Sequence, residues 1–303
     1  MHLKLYSDPL TKTLDLFRVA DEVRSIFSNC NIIMTVDVRP PFLQCTTELD
    51  LGIMAENIAS TRIAEIRQPL DHKKSNSVSN NEAQKRYRCP SPAESIAYEK
   101  NLITNKINYK NKFQQQHQQD QPNSILYDGF MLQRLLGSLI PDNENSIDNL
   151  HVIFDSRLTC TFSEDDWRYH GRAIICGTPS IISTTGIVEA PAKPREYYLK
   201  QMRLNASNNV HTEAQYYELE KEELKREFAG RYLEYEDTRI NSVATGYVLQ
   251  ACFFFLANGH PFCDDKECRL YNAHWQEDLI YCQIENPKLC KKHILLLLRK
   301  GFI

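Results

Sequence analysis

The end of this chain carries a dense group of side chains that bind metals. Four of its ten cysteines lie between Cys263 and Cys290, and His293 follows closely. A structural zinc takes four nitrogen or sulfur ligands in a tetrahedron, and the ligands come as closely spaced pairs. The pairs Cys263-x4-Cys268 and Cys290-x2-His293 match this pattern. We therefore predict one structural zinc per chain, held by Cys263, Cys268, Cys290 and His293.

Two further side chains of this tail are alternative ligands. Cys282 or His274 would replace a member of the predicted set if one of the four is wrong, and a group of buried thiols without metal is the other interpretation.

The chain opens on MHLKLYSDPL, which lacks the apolar stretch of a secretory signal, so we expect a cytoplasmic protein. In a reducing compartment cysteines stay thiols or bind metals and do not form disulfides.

The composition is that of an ordinary globular protein. Hydrophobic residues make up 42% of the 303 residues and charged residues 25%, which excludes disorder throughout. The formal net charge is -3, so nothing favours nucleic acid or an anionic membrane as a partner. No apolar run approaches the roughly 18 residues that a membrane-spanning helix needs.

The first part of the chain has the pattern of strand, helix and strand. We predict strands at residues 2–6 and 32–38, and helices at residues 10–27 and 47–63, from the apolar periodicity of each segment.

A polar segment then interrupts the pattern. Residues 71–123 are rich in Asn, Gln, Ser and Lys. Their apolar residues are too sparse to offset a backbone ordering cost of about 1–2 kcal/mol per residue. We predict a disordered insertion within one domain that spans residues 1–303, with a short helix at residues 93–102 and an exposed Cys89. A linker between two domains is the alternative.

Regular structure resumes at Ile125. An amphipathic helix follows Tyr127-Asp128-Gly129, strands are predicted at residues 151–154, 172–176 and 180–183, and a charged helix is predicted at residues 219–228. Residues 237–258 form a different helix, apolar on nearly every face from Tyr247 onward, which must be buried on all sides. The predicted fold is therefore mixed α/β (α+β), with a buried central helix that leads into the Cys-rich segment at residues 259–303.

This C-terminal region resembles a known family. The buried helix running into Gly259, then Phe262-Cys263, Cys268-Arg269-Leu270 and the closing Cys290-x2-His293, is similar to the C-terminal half of the archaemetzincins. The resemblance extends over the ordered chain and implies a metzincin-like mixed sheet around the helix. Residues 168–194 and 268–277 also resemble an archaeal family of metallopeptidase-like proteins of unknown function, which implies an archaeal source.

The sequence departs from the archaemetzincins where their chemistry lies. Their helix carries His-Glu-x-x-His-x-x-Gly-x-x-His. With the motif glycine placed on Gly259, the three His positions are Cys252, Leu256 and Phe262, and the Glu position is Phe253. A catalytic zinc needs three protein ligands and a carboxylate base, which these residues do not supply.

The resemblance thus implies a metallopeptidase-like protein in which Cys252-Phe253-Phe254-Phe255-Leu256 replaces the catalytic motif. We predict a pseudo-enzyme without catalytic residues at this helix, which acts as a binding or scaffold protein with a peptide or protein ligand in a metzincin-like cleft. The second hypothesis is a zinc-dependent hydrolase with a relocated metal site, built from His260, His274 and Glu277.

Other candidate site residues lie on predicted strands. Arg168, His170 and Arg172 have period-2 spacing and share one face, where they could bind an anion or a terminal carboxylate; a solvated sheet face is the alternative. Cys176 is a candidate nucleophile with His170, although a buried thiol fits its apolar strand better. Glu189 is a spare carboxylate and not a predicted base.

Overall fold

The computed structural model describes residues 2–45, 47–63, 91–104, 125–146, 148–208 and 214–300. Most of the predicted insertion at residues 71–123, including Cys89, lies outside these ranges. The helix predicted within it is present as Pro92–Ile103. Within the described ranges, no helix combines the length and the apolar character that crossing a membrane requires.

The fold is mixed α/β, as predicted. The strands are β1 (His2–Tyr6), β2 (Thr35–Arg39), β3 (Leu126–Asp128), β4 (Asn149–Asp155), β5 (Leu158–Ser163), β6 (Arg168–Arg172), β7 (Ile174–Ile175) and β8 (Ser180–Ser183). The α-helices are α1 (Leu16–Ser28), α2 (Glu48–Ser60), α3 (Pro92–Ile103), α4 (Gly129–Gly137), α5 (Thr184–Glu189), α6 (Arg195–Asn208), α7 (Ala214–Glu227), α8 (Ile240–Leu256), α9 (Gln276–Ile280) and α10 (Lys291–Lys300). A π-helical turn, Tyr281–Glu285, follows α9.

Two sheets organise these elements. The larger has five strands in the order β2-β1-β4-β8-β7, in which neighbours run parallel except for the antiparallel pair β7–β8. The smaller has the order β3-β5-β6, with β5 and β6 antiparallel. The predicted strand at residues 172–176 is therefore two strands, because the chain leaves one sheet after Arg172 and enters the other at Ile174.

The central helix α8 packs between the larger sheet and the C-terminal tail. Every residue from Ile240 to Phe253 except Ser242 is buried. The prediction of burial on all sides is confirmed as far as Phe253, whereas residues 254–257 are partly exposed. Its core neighbours include Val23 and Phe27 of α1, Val152 of β4 and Leu270 of the tail. This core is continuous from the sheet to the Cys-rich segment.

A buried carboxylate lies at the carboxyl end of β1. Asp8 accepts hydrogen bonds from the Leu10 N–H (3.1 Å) and from the hydroxyls of Thr11 (2.5 Å) and Thr184 (2.8 Å). Burial raises the pKa of Asp8, the Thr11 bond lowers it in part, and the nearby charge of Asp155 raises it further. The charged form of Asp8 is therefore less stable in the folded protein than in the unfolded chain.

At about pH 7, Asp8→Asn is expected to raise the free energy of unfolding by about 1 kcal/mol, because the amide has no charge to desolvate. The folded wild type binds the Asp8 proton more tightly than the unfolded chain does. Wild-type stability should therefore fall as the pH rises from about 4 through the raised pKa, and the variant lacks this contribution. Urea unfolding of both proteins from about pH 4 to pH 7 measures the difference, which should grow with pH. A difference that is constant or negative would contradict this prediction.

Candidate metal centre and cleft

The predicted metal ligands converge on one point. The ligand atoms of Cys263, Cys268, Cys290 and His293 all lie within 4.8 Å of one another. The Sγ atoms of Cys263 and Cys290 are 4.0 Å apart, and His293 Nδ1 lies 3.1 Å from Cys290 Sγ and 3.6 Å from Cys268 Sγ. A tetrahedral zinc with ordinary bond lengths has sulfur–sulfur edges of about 3.8 Å and sulfur–nitrogen edges of about 3.5 Å. The cluster could therefore hold a zinc-sized ion with small shifts of its side chains.

Local backbone structure places each pair of ligands. Cys263 and Tyr271 form a parallel bridge, in which the Cys263 N–H donates to Leu270 O (2.8 Å). Cys268 lies on the turn that closes this loop. Cys290 directly precedes α10, and His293 lies in its first turn, so their three-residue spacing brings both side chains to one helix face.

A buried arginine fixes the ligand loop against the core. Arg269 is 2% exposed; its Nη1 pairs with Glu22 of α1 (2.6 Å) and its Nη2 donates to Ser242 O of α8 (2.9 Å). Its carbonyl accepts from Gln283 Nε2 (2.6 Å). A Cβ on Gly246 would lie 1.6 Å from the Gln283 amide oxygen, so only glycine lets α8 approach the tail this closely.

Burial favours the uncharged form of three of the four candidate ligands. Burial raises the pKa of Cys268 to about 12 and raises the pKa of Cys263, while burial lowers the pKa of His293, with a further lowering from Lys292. Thiols in such a site lose their protons when a metal binds, since the thiolate is the ligand.

The two alternative ligands lie elsewhere. Cys282 is fully buried and contacts Leu279 O at 3.6 Å, and His274 is exposed in the neighbouring cleft. Across the described ranges, the Cys3His cluster is the only group of three or more Cys, His, Asp or Glu residues close enough together to share a metal. The relocated site predicted from His260, His274 and Glu277 is therefore not assembled; Glu277 pairs with Arg231 at 2.7 Å.

A cleft of about 910 Å³ lies beside α8. One wall is the chain segment that includes β7, residues 173–176, and the opposite wall is α8 with the loops that follow it. The α8 residues Tyr247, Gln250 and Phe254 line this cleft. Gln250 is 2% exposed; its amide nitrogen reaches Tyr271 O at 3.5 Å, and its amide oxygen has no hydrogen-bond partner within the described residues.

The positions that the motif on Gly259 assigns to catalysis do not share this cleft. Cys252 and Phe253 are fully buried, and the Phe253 ring packs edge-on against His293 with centroids 5.1 Å apart. Leu256 packs against the core, and of the four only Phe262 lines the cleft. Two residues along a helix rotate a side chain by about 200°, so Gln250 and Phe254 lie on the other side of α8 from Cys252 and Leu256.

The remaining candidates lie on or near β6, β7 and α5. Arg168, His170 and Arg172 do lie on one strand, β6, and His170 pairs with Asp166 at 2.9 Å. Burial raises the pKa of Cys176 to about 12, which keeps its thiol protonated and argues against a nucleophile. Glu189 is exposed and accepts a hydrogen bond from Tyr235 at 2.7 Å.

Comparison with known proteins finds a family model that matches the region containing the cleft and the cluster. A family model described as "Probable metallopeptidase family (DUF6775)" matches residues 91–299, which is more than half of the chain. The chain belongs to this family. For this DUF6775 member, no match was found among curated proteins or solved structures. The matched DUF6775 region contains the cleft-facing part of α8 and all of the Cys3His cluster.

Proposed function

We propose that this DUF6775 member binds an extended peptide in the cleft beside α8 without hydrolysing it at that helix, and that a structural zinc on the Cys3His cluster holds the cleft wall in place. The observation that carries the proposal is the edge of β7, which pairs only with β8 in the part of the chain that the structure describes. A sheet edge with unpaired backbone groups can pair with a peptide strand.

The register of β7 shows which of its backbone groups point away from β8. Ile174 is opposite Ile182, and the N–H of Ser183 donates to Ala173 O at 2.9 Å. Ile174 and Ile182 are therefore a non-hydrogen-bonded pair, so the N–H and C=O of Ile174 point away from β8. This edge belongs to the segment that lines the cleft. A peptide in the cleft would exchange both backbone bonds with Ile174.

The cleft lacks the groups that peptide hydrolysis by the family motif requires. If the motif is shifted by two residues so that its first two His positions face the cleft, they become Gln250 and Phe254, and the glutamate position becomes the buried Ala251. Only the third His position is occupied by histidine, at His260. Neither alignment supplies three ligands and a base, which supports binding over catalysis.

A proline at the outward edge tests the proposal. Ile174→Pro removes the N–H that would pair with the peptide, while β8 does not use that N–H. We expect peptide binding to weaken about 3- to 10-fold, the worth of one backbone hydrogen bond. Ile174→Ala is the matched control, because it loses the same side chain and keeps the N–H.

The assay uses the full chain with a fluorescein-labelled pool of random pentapeptides. Fluorescence polarisation should show saturable binding, and mass spectrometry should find the pool uncleaved. Absence of binding, or equal affinity of Ile174→Pro and Ile174→Ala, would overturn the proposal. Cleavage of the pool together with a second zinc per chain would favour the relocated hydrolase.

A further inference from the structure

Arg172 lines the cleft and has no salt-bridge partner among the described residues. It is the last residue of β6 and lines the cleft, where its Nε donates to Thr161 Oγ1 at 2.8 Å. Its carbonyl accepts from Thr159 Oγ1 at 2.9 Å, so backbone and side chain are both held. Its terminal amino groups, Nη1 and Nη2, have no partner in the part of the chain that the structure describes. One contact thus orients the guanidinium, and the N–H groups of Nη1 and Nη2 are free within the described residues.

The charge of the cleft favours an anionic ligand. Its charged lining residues are Arg172 and Lys292 against a single carboxylate, Asp264, and two histidines add hydrogen-bonding groups. A half-buried arginine is best matched by a planar anion, since a carboxylate accepts two parallel N–H bonds from one guanidinium.

The direction of β7 decides which end of a peptide meets Arg172. A peptide that pairs antiparallel with β7 runs opposite to it, so its C-terminal end lies toward Ala173 and Arg172. Successive residues of an extended chain advance by about 3.3 Å. Arg172 precedes Ile174 by two positions, so the residue that pairs with Ile174 would be the second or third from the C-terminal end of the peptide.

We propose that Arg172 binds the free C-terminal carboxylate of the peptide, so that the cleft selects chain ends over internal segments. This inference rests on the proposed function and adds a ligand class to it. Gln250 lines the other wall of the cleft, and its buried amide oxygen has no partner among the described residues. A rotation of this amide toward the cleft would let the oxygen accept an N–H from the same peptide.

Paired peptides test the role of the carboxylate. The tightest-binding pentapeptide from the pool is synthesised with a free C-terminal acid and with a C-terminal amide. We expect the amide to bind the wild type about 10- to 100-fold more weakly, the range for hydrogen bonds to a charged group. A third peptide, amidated and with an added glutamate side chain at its last position, should not recover the affinity of the acid.

Variants of β6 assign the effect to one residue. Arg172→Gln should weaken binding of the acid by the same factor and leave binding of the amide unchanged, and Arg172→Lys should recover only part of the loss. Arg168→Gln, on the same strand face but outside the cleft lining, is the matched control and should bind like the wild type. Zinc content and thermal unfolding check that each variant is folded; if Arg172→Gln does not fold, the acid and amide on the wild type decide.

The outcomes separate this inference from the proposed function. Saturable binding with equal affinity for acid and amide, or an equal loss for both peptides in Arg172→Gln, would overturn the carboxylate site and leave peptide binding intact. Recovery of affinity by the added glutamate would also overturn it, in favour of side-chain recognition. Absence of saturable binding to any peptide would overturn both.

Discussion

Replacement of Cys268 by serine is expected to abolish stoichiometric zinc binding and to lower the free energy of unfolding by about 4 kcal/mol or more. Cys268 is fully buried, and its sulfur is near His293 Nδ1 (3.6 Å) and accepts from the Cys290 N–H (3.5 Å). A serine hydroxyl is a poor zinc ligand, and loss of a structural metal is among the most destabilising single changes. Metal analysis should find one zinc per wild-type chain and none in the variant.

Cys282→Ser is the matched control for this experiment. Cys282 is equally buried in the same tail, but it lies outside the cluster and contacts Leu279 O. Cys282→Ser should lower the free energy of unfolding but leave the zinc bound. A chelator should lower the melting temperature of the wild type and of Cys282→Ser, and leave Cys268→Ser unchanged. Zinc retained in Cys268→Ser and lost in Cys282→Ser would contradict the predicted ligand set.

The convergence of the Cys3His cluster was predictable because the geometry of each pair is local. Cys290 and His293 are one helical turn apart in sequence and in space, and Cys263 and Cys268 bracket a tight loop. The burial of α8 was predictable for a similar reason, since its apolar residues surround the helix axis. Each of these features depends on the identities of residues that are neighbours along the chain.

The face of α8 that lines the cleft was not predictable in the same way. The position of Gly259 suggests a motif register, but Asn258 (φ 52°) and Gly259 (φ 87°) both turn left-handed after the helix ends, so the glycine does not fix the rotation of the helix. Gln250 gave no signal in the sequence because a single glutamine within an apolar helix is ordinary. Only the packing of β7 and α8 around the same space shows that Gln250 lines a ligand-sized cleft.

The helix α3 shows how a polar composition can conceal a buried element. Its sequence lies within the Asn- and Gln-rich stretch, yet Glu99 is fully buried. Glu99 accepts hydrogen bonds from Arg62 Nε (2.9 Å), Arg157 Nε (2.9 Å) and the Tyr127 hydroxyl (2.7 Å). Arg62 and Arg157 are far away in sequence, so the local pattern of apolar residues cannot identify the contact.

Glu99→Gln is therefore expected to lower the free energy of unfolding by about 3–5 kcal/mol. Removal of one partner from a buried ion pair leaves the other charge desolvated and uncompensated. Here Arg62 would lose the carboxylate that it contacts, and Arg157 would keep only Asp155, which is 2.8 Å away. Urea unfolding of the variant and the wild type measures the change.

The control for this substitution is Glu94→Gln on the same helix. Glu94 is exposed and its carboxylate accepts from the Ser91 N–H (2.7 Å), a capping bond that a glutamine oxygen can also accept, so we expect a loss of about 0.5 kcal/mol or less. The same chemical change is thus expected to cause a large loss of stability at one site and a small loss at another site five residues away. Equal, small losses at both would mean that α3 is not anchored to the core by Glu99, and that the polar stretch can detach at little cost. A large loss confined to Glu99 would make α3 part of the folded domain and restrict the predicted insertion to the segments on either side of it.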